Sequence, residues 1–273
     1  MRSLRSSGAQ VARLRQRLSE RDLSLLTALQ RVRLLSLRQV QRLLVVDGSP
    51  SARTRRAQLF MSRLTKHGLV VRLSRVIGGL RAGSSGYIYG LSGLGQAVID
   101  ADGPAGGRRR RVWETKPYFQ DHMLAVAELY VQAVEQHRQG GGDLLTFDAE
   151  PAAWRHFTGL GGELVILKPD AYVRLGMVAI ERSAFVEVDL ATETLPTIQR
   201  KNDRYIDYWR SGMEQQLRGV FPKVVWLVQN EQRQDRIGGL IRKLASDAQA
   251  LFEVGLLATG AQLLSGGSQG AAA

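Results

Sequence analysis

Residues 50–73 read PSARTRRAQLFMSRLTKHGLVVRL, and residues 86–91 read GYIYGL. Pro50 or Ser51 opens a helix that runs to about His67. Gly68 stops it, because glycine takes the left-handed conformation past a helix end without steric cost. Leu59, Phe60 and Leu64 are expected to face inward, which leaves Arg53, Thr54, Arg56, Arg63 and Lys66 for the other faces. Beyond Gly68 the apolar period shortens to that of a strand, through Val70, Val71 and Leu73. A glycine-rich tip over 78–86 carries Arg81, and Tyr87-Ile88-Tyr89-Gly90-Leu91 returns as the partner strand.

Two more helices precede this stretch. Ser36 caps a short one whose apolar face is Leu37, Val40, Leu43 and Leu44, and Val46 to Pro50 form a turn. Ser19-Glu20-Arg21-Asp22 is a capping-box pattern, in which a hydroxyl and an acid three residues on satisfy free backbone donors. Leu23, Leu26 and Leu29 continue it as a helix over 20–32. Three helices followed by a hairpin with a basic tip make an N-terminal winged helix-turn-helix over 19–101, preceded by a basic flexible arm over 1–18. The third helix is then the groove reader. Arg53, Thr54, Arg56, Arg63, Lys66, Arg72, Arg75 and Arg81 form the expected DNA-binding set, with Arg53 or Arg56 as base readers and the others on phosphates. The alternative is a winged helix used for protein contacts. Gly90 to Gly95 is not a GxGxxG loop; it reads as the cap of a helix over 93–101.

Charge favours the nucleic acid. Residues 1–113 hold 22 Lys and Arg against five Asp and Glu, whereas residues 114–273 hold 16 against 20. The basic half calls for a polyanion, and the phosphate backbone of a nucleic acid is the commonest. The chain has no cysteine, which excludes disulfides and thiolate metal sites. Its four histidines, at 67, 122, 137 and 156, show no ligand spacing. No apolar run is long enough to span a bilayer and no secretory core follows the first arginines, so a cytoplasmic protein without a membrane partner is expected.

Asp102 to Gly107 is loop chemistry, and Arg108 to Arg111 follow it, giving a Gly/Arg linker over 102–113. The second domain is expected over 114–260, with a disordered tail over 261–273. Its elements are a helix over 118–138, strands near 144–150, 163–173 and 184–190, a helix over 194–216, a buried strand at 224–228, a helix over 232–247 and a strand at 251–256. The chain as a whole is therefore α+β and α/β.

The αβββαβ order of the second half, with Pro169-Asp170 and then Glu187-Val188-Asp189, resembles the core of the PD-(D/E)xK nucleases, a restriction-endonuclease-like fold. In that resemblance Asp170 and Glu187 would hold Mg²⁺, which activates a water and stabilises the leaving oxygen of a phosphodiester. The lysine that normally lies two residues after the second acid is replaced by Asp189, so cleavage is left open. Lys201, from the next helix, is the candidate substitute, and Lys168 a weaker one. Structurally, Glu187 and Asp189 share a strand face and need a compensating group, for which Lys201 or Arg204 is available.

Five stretches in order extend the resemblance: LSERD at 18–22, YIYGLSGLG at 87–95, HMLAVAELYV at 122–131, LKPDAYV at 167–173, and FVEVDLATE at 185–193 with Lys201 and Tyr205 downstream. Together they resemble the replication-relaxation family of plasmid and mobile-element proteins. That resemblance implies a winged helix joined to a nuclease-like region, a role in plasmid replication, relaxation or mobilisation alongside replication or transfer proteins, and a functional centre at Asp170, Glu187, Asp189 and Lys201. His122 also matches but reads as a structural hydrogen-bonder. Three functions stay open: a DNA-binding accessory protein, a Mg²⁺-dependent nickase or endonuclease, and a transcriptional regulator with a dimerising or sensing second domain.

Overall fold

A computed structural model describes residues 8–73, 86–101, 117–159, 161–178 and 180–267. The chain divides into two compact units, Met1–Val131 and Gln132–Ala273. The mixed α and β content expected from the sequence is present in both.

In the first unit, α1 (Gly8–Gln16), α2 (Glu20–Val32), β1 (Leu34–Ser36), α3 (Leu37–Leu44), α4 (Pro50–Lys66), β2 (Val70–Leu73), β3 (Ile88–Leu91) and α5 (Gly93–Asp100) follow one another. Helix starts are set by hydroxyl caps. Ser19 and Asp22 close a full capping box, Ser36 and Gln39 another, and Ser49 caps α4 with Pro50 in its first turn. Each satisfies donors that have no partner within the helix. Leu25, Leu26 and Leu29 of α2 are buried, as are Val40 of α3 and Met61 and Leu64 of α4. The strands form an antiparallel sheet in the order β1-β3-β2, with Leu35 opposite Tyr89 and Val71 opposite Gly90. Part of the expected arm, residues 8–16, is helix α1: Val11 is buried and Arg15 donates to the Val98 carbonyl at 3.0 Å. The hairpin tip with Arg75 and Arg81, and the 102–113 stretch, lie outside the described residues.

The expected inward face of α4 is corrected at one position. Ala57, Met61 and Leu64 are the buried stripe, four and three residues apart, whereas Leu59 is 62% exposed. At about 100° per residue, Leu59 lies some 200° round the helix from Ala57.

The division between the units falls inside α6 (Pro117–Arg138) rather than at residue 113. Met123 packs with Leu34 and Ile88 in the first unit, and Glu128 pairs with Arg42 at 2.5 Å. In the second unit Gln132 donates to the Leu257 carbonyl and Gln136 to Ser265.

The second unit continues with β4 (Asp143–Ala149), β5 (Arg155–Thr158), β6 (Leu164–Leu167), β7 (Ala171–Gly176), β8 (Glu181–Asp189), α7 (Leu195–Ser211), α8 (Met213–Arg218), β9 (Lys223–Val228), α9 (Glu231–Ile241), α10 (Ser246–Gln249), β10 (Phe252–Leu256) and α11 (Gly260–Leu264). Five strands form one sheet in the order β10-β9-β8-β7-β4, parallel from β8 to β10 and antiparallel at β7 and β4. A bulge interrupts β4, the edge strand, between Leu144 and Thr146. The core joins Tyr172, Phe185, Val224 and Trp226 of the sheet to Ile198, Tyr205 and Tyr208 of α7 and Ile237 of α9.

Three expected boundaries change here. The single strand foreseen over 163–173 is two strands in different sheets, because β6 pairs with β5 in a separate ribbon. The helix foreseen over 194–216 breaks at Gly212, whose φ of 71° ends α7. Residues 261–264, expected to begin the tail, belong to α11, with Ala261 and Leu264 buried; residues 268–273 lie outside the described ones.

Candidate functional site

β8 delivers Glu187 to the sheet interior, where it is 1% exposed. Asp170 lies one step beyond the Ala171–Val186 pair, across from Glu187, and its Oδ2 accepts from the Val188 N–H at 2.7 Å. α7 then crosses this strand end. Lys201 Nζ donates to Glu187 Oε2 at 2.8 Å and to Glu193 Oε1 at 2.7 Å, while the Tyr205 hydroxyl donates to Glu187 Oε1 at 2.7 Å. Lys201 and Tyr205, one helical turn apart, thus engage both oxygens of one carboxylate. The Lys201 ammonium also lies 5.5 Å from the centroid of the Trp226 ring.

Burial dominates the electrostatics. It raises the Glu187 carboxyl to about 7; the Lys201 charge opposes that rise and the neighbouring Asp170 adds to it. Burial likewise disfavours the Lys201 ammonium, but the charges of Glu187 and Asp170 outweigh it and hold the pKa above the usual lysine range. Burial and the adjoining carboxylate push the Tyr205 phenol far up. The centre therefore combines a permanent cation with a carboxyl that titrates near neutrality.

Of the four residues expected here, Asp170, Glu187 and Lys201 come together. Asp189 does not join them: it binds Arg233 of α9 and accepts from the Ala191 N–H at 3.0 Å. Arg233 further donates to the Glu193 carbonyl at 2.6 Å. The cation that compensates Asp189 is thus Arg233, not Lys201 or the exposed Arg204. Lys168 is exposed and lies over the Trp154 ring. Two residues that pair around this strand end carry no signal in the sequence. Glu193 carried no motif position of its own, and Arg233 lies 44 residues beyond its partner. A further buried carboxylate, Glu214, is held by Arg155 at 3.1 Å, by Arg218 and by the Tyr208 hydroxyl; nothing in the sequence pattern points to it.

A divalent ion does not fit this donor set as it stands. Mg²⁺ requires open oxygen ligands in near-octahedral array, whereas both Glu187 oxygens are engaged by Lys201 and Tyr205. Among the described residues no three His, Asp or Glu side chains gather as a metal site.

The DNA-binding candidates of the first unit fall into two groups. Arg56 donates to the Asp47 and Ala52 carbonyls, Arg63 pairs with buried Asp22, Thr54 donates to the Pro50 carbonyl at 3.0 Å, and Arg72 stacks on Tyr87 at 4.4 Å. Burial opposes the Asp22 charge, yet hydrogen bonds from Arg63 and Ser19 outweigh it and hold the carboxyl below its usual range. Arg53 is half-buried, with an Nε that meets no partner among the described residues. Lys66 and Arg55 are exposed. α4 holds five cations and no acid.

The family model described as replication-relaxation matches residues 26–224, from α2 to the start of β9. The chain belongs to the replication-relaxation family. No curated protein and no solved structure matches it. The matched span of this replication-relaxation protein takes in α4 and the Asp170, Glu187, Lys201 and Tyr205 cluster, but stops before Arg233. Among the described residues no helix is long and apolar enough to cross a membrane.

Proposed function

We propose that this replication-relaxation protein is a DNA-binding accessory factor of plasmid or mobile-element replication, relaxation or mobilisation. On this reading α2 to α4 with β2 and β3 act as a winged helix, and α4 enters the major groove of duplex DNA. The observation that carries it is the composition of α4: Arg53, Arg55, Arg56, Arg63 and Lys66, without one acid. Among the described residues only Arg63 of these is paired with a carboxylate, that of Asp22, and a helix with such a surplus of cations attracts phosphate, displacing the counterions of the DNA and so making binding salt-dependent. On the same reading the second unit serves as a restriction-endonuclease-like body, which the succession β4, β7, β8, α7, β9 supports once the β5–β6 ribbon and the short α8 are taken as additions, with its central carboxylate paired to Lys201. The test is fluorescence anisotropy on labelled duplexes across a salt series. Affinity is expected to fall steeply and linearly on a log–log plot, and to survive Asp170→Ala and Glu187→Ala. A flat salt dependence refutes the reading.

One observation favours a second reading. Lys201 reaches the Glu187 carboxylate from α7, where the usual motif position is taken by Asp189. On that reading Asp170 and Glu187 would be the residues to hold a divalent ion, which would supply an activated water for phosphodiester hydrolysis. Incubation of supercoiled plasmid with Mg²⁺, Mn²⁺ or EDTA decides: nicking that needs metal and vanishes in Asp170→Ala and Glu187→Ala makes the protein a nuclease, and intact plasmid leaves the accessory reading.

A further inference from the structure

α4 shows two faces that differ in kind. Ala57, Met61 and Leu64 are buried, while Ala52, Arg55, Leu59, Ser62 and Lys66 are exposed and recur every three or four residues as one stripe, with exposed Gln58 beside it. Leu59 sits in the middle of it. A single exposed leucine is ordinary on a protein surface. Its neighbours are what set this one apart. Arg55 lies four residues before it and Ser62 three after, Gln58 is adjacent, and no acid intervenes in the helix. Arg56 and Arg63 flank the stripe but are turned to Asp47 and Asp22.

The major groove offers a matching set of chemistries. Guanine presents two acceptors that a guanidinium bridges, adenine an acceptor and a donor that a carboxamide bridges, and thymine a methyl group that takes an apolar side chain. One helical turn advances about 5.4 Å and one base step about 3.4 Å, so residues three or four apart meet bases one or two steps apart.

We infer that Leu59 packs against a thymine methyl in the major groove and that Arg55 reads a guanine one or two steps away. The inference rests on the DNA-binding reading above. It replaces Arg53 and Arg56 as base readers: Arg56 ties α4 to the preceding turn, and Arg53 is half-withdrawn from the surface.

The experiment selects duplexes from a random pool with the full chain, then replaces each thymine of the selected site by deoxyuridine, which removes the methyl alone. At one thymine the exchange is expected to weaken wild-type binding about fourfold, the worth of one buried methyl-sized group. Leu59→Ala is expected to lose a similar factor and to become indifferent to the exchange there, as coupled partners do in a double-mutant cycle. Leu59→Met is expected to keep the sensitivity. Arg55→Ala is expected to relax the preference for the nearby guanine. Indifference of wild type to every exchange, persisting sensitivity in Leu59→Ala, or a pool that yields no preferred sequence overturns the inference while DNA binding stands. Failure of wild type to bind any duplex overturns both.

Discussion

Arg55 and Lys201 are both cations on helices, yet they stand in opposite electrostatic settings. On α4 the cations outnumber acids five to none and Arg55 and Lys66 face solvent. On α7 the lysine is drawn inward, between Glu187 and Glu193, and above Trp226. The contrast teaches that the net charge of a half says little about availability. The first unit stores charge that an outside polyanion can use. The second has already used its own to bury carboxylates that water would otherwise have to solvate. Arg63 shows the same economy inside the first unit, where it pairs with the buried Asp22 carboxylate.

The largest effect should come from breaking the inward pair. Lys201→Met leaves Glu187 buried without its cation and is expected to lower the stability of the second unit by about 3–5 kcal/mol in urea unfolding. The double variant with Glu187→Gln should recover a good part of that. A single-variant loss no larger than the double one would mean that the pair is not the neutralised unit described here.

Next in size is a pH effect. Burial raises the Glu187 carboxyl from 4.5 to about 7, so between those values the folded state binds more protons than the unfolded one. Its contribution to stability is then greatest below pH 4.5 and declines as pH rises to 7, by about 3 kcal/mol at 1.36 kcal/mol per pH unit. Tryptophan fluorescence follows this, since Trp154, Trp209 and Trp226 all lie in the second unit. Glu187→Gln should flatten the slope; an unchanged slope would assign it elsewhere.

The outward cations should give smaller, binding-specific effects. Arg55→Ala is expected to cost about 1–3 kcal/mol of DNA affinity and Lys66→Ala to reduce the salt slope by about one, neither moving the unfolding midpoint. Arg63→Ala should do the reverse. It removes the partner of buried Asp22 and should lower first-unit stability by about 1 kcal/mol at neutral pH, discounted for the half-exposed guanidinium, with little change in DNA affinity. Because the Asp22 carboxyl is held below its usual 3.8, that contribution is present above this pH and lost as pH falls further. Equal affinity losses in Arg55→Ala and Arg63→Ala would erase the distinction between the two groups.

What was legible in the sequence is what the local backbone decides. Ser19 with Asp22, and Ser36 ahead of α3, fixed helix starts through hydrogen bonds three residues long. The alternation around Glu187 marked β8, and the apolar run at 224–228 marked β9. What remained hidden depends on distant partners. β1 and β5 are short strands without a period of their own, defined by pairing with β3 and β6. Lys168-Pro169-Asp170 read as an interruption of one strand, although the chain there passes between sheets. Leu59 was assigned inward because it is apolar, but the stripe set by Ala57, Met61 and Leu64 turns it out. Asp170, Glu187 and Lys201 stand out in the sequence through the resemblance to the nuclease and replication-relaxation patterns, while the Asp189–Arg233 pair required the crossing of α9 over the strand end.

The bulge in β4 bears on self-association. A sheet edge is a row of unpaired backbone groups on which a second copy can template itself, and a bulge bends the strand and leaves one residue out of step. With the irregularity between Leu144 and Thr146, and Asp143 exposed at the strand start, a neighbouring chain meets a ladder whose register changes after two residues. The bulge disfavours growth of the sheet from this edge, and deletion of Leu145 is expected to raise fibre formation.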